Sequence, residues 1–115
     1  MKPEERFLYD LLVQAKPKIS DEFPNSIFYT LDDLILFEYN QKNSKLWCNH
    51  DIIWLVFERK FNINDIDIQF IIKKMVEDIL NLRDKISFIG HFSHRYKVGD
   101  TLNLRNITPI LPYLA

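Results

Sequence analysis

Apolar residues recur at helical spacing in three stretches of the chain and alternate with polar ones in a fourth. Phe7, Leu8, Leu11 and Leu12 make one face of a helix. Pro3, Glu4 and Glu5 suit its first turn, where proline is tolerated and acids favour the positive end of the dipole. Pro17 stops it near Ala15, and Lys16 to Ser26 reads as a loop with a Pro24-Asn25 turn. Ile27 to Leu31 is a short strand, and Asp32-Asp33 turns the chain. In Leu34 to Asn40, Ile35, Phe37 and Tyr39 alternate with Leu36, Glu38 and Asn40, the period of a strand. Gln41 to Ser44 is a polar hairpin loop, and Lys45 to Asn49 returns as the partner strand.

Asp51 to Phe61 is predicted helical, with Ile53, Trp54, Phe57 and Phe61 as its stripe and Asn49 or Asp51 as its cap. Asn62-Ile63-Asn64 breaks it. Asp65 to Leu82 is the strongest helix, with Asn64 as N-cap and Asp67 completing an approximate capping box. Ile68, Ile72, Met75, Ile79 and Leu82 form its main stripe. Ile66 and Phe70 fall off that stripe, so the helix is expected to pack on two sides. Ile86 to Phe92 is a further strand, followed by a turn near Gly99 and a last strand, Thr101 to Arg105. The whole predicts an α+β fold in a single domain over 1–115. It has an N-terminal helix, a small antiparallel sheet, two central packed helices and a C-terminal hairpin.

Composition narrows the function. The chain has 115 residues, 47% apolar and 27% charged, with net charge −1. That supports one core and excludes disorder. It also lacks the overall basic excess of a nucleic-acid coat. The longest apolar run, Ile52 to Phe57, is far short of the ~20 residues of a membrane span. The N-terminus has no signal-peptide core, and the lone Cys48 excludes an internal disulfide framework. A cytoplasmic, intracellular protein is the expectation. Fifteen isoleucines against two alanines point to an A/T-rich genome.

Leu34 to Leu82 carries a Phe37-Glu38-Tyr39-Asn40 strand, a polar turn and Trp47. Ile53-Trp54, Phe57-Glu58, Phe61, Gln69 and Val76-Glu77 follow. In these features it resembles small phage and prophage proteins. The resemblance spans less than half the chain and implies a source but no activity.

Candidate chemistry falls into four sets. Cys48, His50, His91 and His94 are one thiol and three imidazoles, a donor set that suits zinc, although the spacing matches no common finger. A winged-helix-like nucleic-acid binder is the second reading. It rests on the order of helices and hairpin, and on Arg95, Tyr96, Lys97 and Arg105, where aromatics interleave with cations. Its would-be recognition helix carries four acids, Asp65, Asp67, Glu77 and Asp78, against Lys73 and Lys74. Enzyme signatures are missing: there is no Gly-rich phosphate loop and no nucleophile elbow. The chain therefore reads as non-enzymatic, with no cofactor. The leading reading is a protein-binding or accessory protein acting through an interface with a partner or with its own copies. Tyr39, Trp47, Ile110, Leu111 and Tyr113 are the candidate interface residues, being aromatic or part of the proline-broken apolar tail.

Overall fold

A computed structural model describes residues 1–32 and 34–93. Helix α1 (Pro3–Gln14) opens the chain, and its Lys2 N–H is held by the Glu5 carboxylate at 3.0 Å. Strands β1 (Lys16–Ser20), β2 (Phe23–Leu31), β3 (Leu34–Asn40) and β4 (Lys45–Asn49) follow. A π-helical turn (His50–Trp54) runs directly into the short helix α2 (Leu55–Arg59). Helix α3 (Asp65–Ile79) and strand β5 (Phe88–Phe92) complete the described chain.

The α+β class holds. The strands form one sheet in the order β1-β2-β3-β4-β5. The first four are antiparallel, but β5 runs parallel to β4, so the sheet is mixed. The reason is the connection. Residues 50 to 87 carry the chain through two helices, long enough to bring it back to the same end of the sheet. The sequence reading gave β5 a following strand as hairpin partner; Thr101 to Arg105 lies outside the described residues.

A second departure is β1, which sequence patterning assigns to a loop. Its burial is nearly nil and it contains Pro17, so no apolar alternation marks it. It forms because β2 offers a ladder, with Lys16 opposite Thr30 and Ile19 opposite Ile27. Lysines and proline blunt this outer strand, a composition that discourages edge-to-edge pairing.

One core joins the helices to the sheet. Phe37, Tyr39, Leu46 and Cys48 share a sheet face and are buried with Phe7, Leu8, Leu11 and Leu12 of α1. Ile68, Ile72 and Val76 of α3 and Ile53 and Phe57 of the central segment join them. Phe7 meets Phe57 edge-on at 5.7 Å. The π turn explains why Ile52, Ile53 and Trp54 are all buried in succession. Its wider ring is closed by the Leu55 N–H on the His50 carbonyl. Asn49, fully buried, starts it by accepting from the Ile52 N–H at 3.1 Å and donating to the Ile35 carbonyl at 2.8 Å. Asn62 and Asn81 take left-handed φ of 54° and 57° just past α2 and α3, the conformation that ends helices.

Candidate functional site

Two features stand out from this framework, and both lie along α3 and β5. The first is a groove of about 380 Å³ lined by Ile66, Gln69, Phe70 and Lys73 from α3 and by residues 86–89 from β5 and its approach. The α3 residues follow i, i+3, i+4, i+7, a complete helical stripe. It is not the stripe that faces the core, which is Ile68, Ile72 and Val76. The expectation that α3 packs on two sides is therefore met on one side only, among the described residues. Ile66 and Phe70 are each 67% exposed and Phe88 46%. Large apolar side chains gathered at one groove are uncommon on a surface with nothing to bind.

The second feature is a polar cluster at the carboxyl ends of the parallel strands β4 and β5. His50 begins the π turn, and His91 sits on β5 opposite Cys48. Their rings are 4.6 Å apart, tilted by 40°. The His91 ring also lies 4.7 Å from that of Trp54. The Trp54 indole N–H donates to Asp65 Oδ1 at 3.1 Å, and His50 Nδ1 is 3.4 Å from Asp51 Oδ1. That indole bond, and a further side-chain hydrogen bond with Glu58, hold the Asp65 carboxyl below its ordinary value.

The residues named from sequence separate clearly. His50 and His91 come together across 41 positions. Cys48 does not join them: it is fully buried in the core, and burial pushes its thiol well above the usual range. Its Sγ lies 3.7 Å from the Asn49 carbonyl. Among the described residues, no group of three or more His, Cys, Asp or Glu side chains is placed to hold a metal ion. Tyr39, a candidate interface residue from sequence, is buried in the core. It is 4% exposed, and its hydroxyl donates to the Lys85 carbonyl at 2.6 Å. Tyrosine at an inward strand position packs its ring and satisfies its hydroxyl locally. Trp47 is half-buried on the opposite sheet face, edge-on to Phe88 at 5.5 Å. His94, Arg95, Tyr96, Lys97, Arg105, Ile110, Leu111 and Tyr113 lie outside the described residues. The winged arrangement is not seen within them, because β5 extends the main sheet beside β4.

The exposed groove was missed from sequence, although its signal was present. The off-stripe Ile66 and Phe70 marked it, and the core was the simpler place to put them.

This is an α+β domain with a mixed sheet and an apolar groove beside its outermost described strand. No protein-family model, curated protein or solved structure matches it. Among the described residues, no helix is long and apolar enough to cross a membrane.

Proposed function

We propose that the protein is a non-enzymatic binding or accessory protein, and that its groove between α3 and β5 receives an extended apolar segment of a protein partner. The observation that carries this is the outward stripe of α3. Ile66 and Phe70 stand in solvent beside Phe88 although the same helix buries a separate stripe. A helix needs one apolar face to fold; a second one serves another contact. The groove is walled by a helix on one side and by the outermost described strand of the sheet on the other. That arrangement suits an extended peptide, which adds main-chain hydrogen bonds along the strand and places alternate side chains in the groove.

The test is selection of a random peptide library against the immobilised protein. Enrichment of apolar sequences that lose binding to a Phe70→Ser variant supports the reading. Failure to enrich, or peptides that bind the variant equally, overturns it. Phe70 is exposed, so this change leaves the fold intact.

A further inference from the structure

The fold places two imidazoles from distant parts of the chain side by side at the end of the β4–helices–β5 crossover. We propose that His50 and His91 together chelate one borderline divalent cation, of the zinc, nickel or copper type, with water completing its coordination. Imidazole is the natural ligand for such ions. Three further observations converge on the same place. His50 Nδ1 lies 3.4 Å from Asp51 Oδ1. A carboxylate beside one ring nitrogen orients the ring and leaves the other nitrogen free for a metal. Asp65 carries its negative charge close enough to feel both rings. His50 also opens a π turn, a backbone device that recurs at functional sites.

The site differs from the four-residue set suggested by sequence. Cys48 sits beneath it in the core and takes no part. The cation is not required for folding either, since the hydrophobic core forms around Phe37, Leu46 and Ile72 regardless. It is a surface site at the end of the groove region: Asp65, in contact with Trp54, is followed directly by the groove residue Ile66. The proposal does not depend on the groove having a partner.

Titration of the metal-free protein with zinc, nickel and copper(II) salts at pH 7.5 tests it by calorimetry, and long-range proton–nitrogen NMR reads the imidazoles directly. The expected result is one ion per chain. The nitrogens of both His50 and His91 shift together, and binding weakens in acid, where protons compete with the metal for its ligands. His50→Gln or His91→Gln weakens binding by more than about tenfold. Cys48→Ser leaves it unchanged. The wild-type NMR spectrum keeps the test decisive if a variant fails to fold. No binding, shifts confined to one of the two rings, binding that survives both histidine changes, or binding abolished by Cys48→Ser overturns the proposal.

Discussion

The Trp54 indole N–H donates to Asp65 Oδ1 at 3.1 Å, and this bond ties the π turn to the first residue of α3. It joins two segments separated by the α2–α3 break. It also fixes Asp65 next to His91, whose ring lies on Trp54. The helix that bears the groove stripe is thereby anchored to the sheet end that bears the histidines.

The bond has a pH signature. Asp65 is held below the ordinary carboxyl value of 3.8, first by the Trp54 hydrogen bond and then by Glu58. A lowered carboxyl contributes stability that is fully present above its unfolded value and is lost as pH falls through the lower native one. Thermal melts of the wild type and of Asp65→Asn are expected to differ at pH 6 and to converge only as pH falls from 3.8 towards the lower native value. A difference that stays constant into strong acid contradicts the assignment.

Asn49 is the most consequential polar residue of the core. Replacing it by alanine strands the Ile52 N–H and the Ile35 carbonyl, both bonded to it now. Loss of a cap and of a buried bond costs about 1–3 kcal/mol. Asn49→Asp retains the cap acceptor but loses the donor to Ile35, so it is also expected to destabilise. Chemical denaturation measures both changes.

Gly90 is required by Trp47. A Cβ there would fall 2.5 Å and 2.7 Å from atoms of the Trp47 ring and 2.9 Å from Phe88. Gly90→Ala forces the indole away from Phe88, with an expected cost of about 1–3 kcal/mol. In a Trp47→Ala background the same change is expected to cost less, because the two tightest contacts have gone and only the Phe88 ring has still to give way. A double-mutant cycle reads the difference.

Cys48 is predicted to be chemically silent. Its thiol is fully buried, and burial disfavours the reactive thiolate. A thiol reagent should leave the native protein untouched and should titrate one thiol after denaturation. Rapid native reaction contradicts the packing described.

Sequence patterning located β3 and β4 at their observed bounds, because alternation and a polar turn act locally. It also found Asn64 as the cap of α3, whose side chain accepts from the Asp67 N–H at 2.9 Å. It missed β1, which exists only through pairing with β2. It missed the parallel sense of β5, which depends on how the crossover returns. It named both members of the His50–His91 pair but joined them to Cys48. Two residues apart on a strand share a face, yet His50 has already left the strand for the π turn. Tyr39 was assigned by residue type alone, and its place in the alternation of β3, facing the core, outweighs that.

The central claim is that the α3–β5 groove is a binding surface, and chemical-shift mapping with a library-selected apolar peptide tests it most directly. Amide shifts should concentrate at Ile66, Phe70, Lys73 and residues 86–89, and both Phe70→Ser and Phe88→Ser should abolish them. Shifts centred elsewhere on the molecule, or binding that survives both substitutions, would contradict the account.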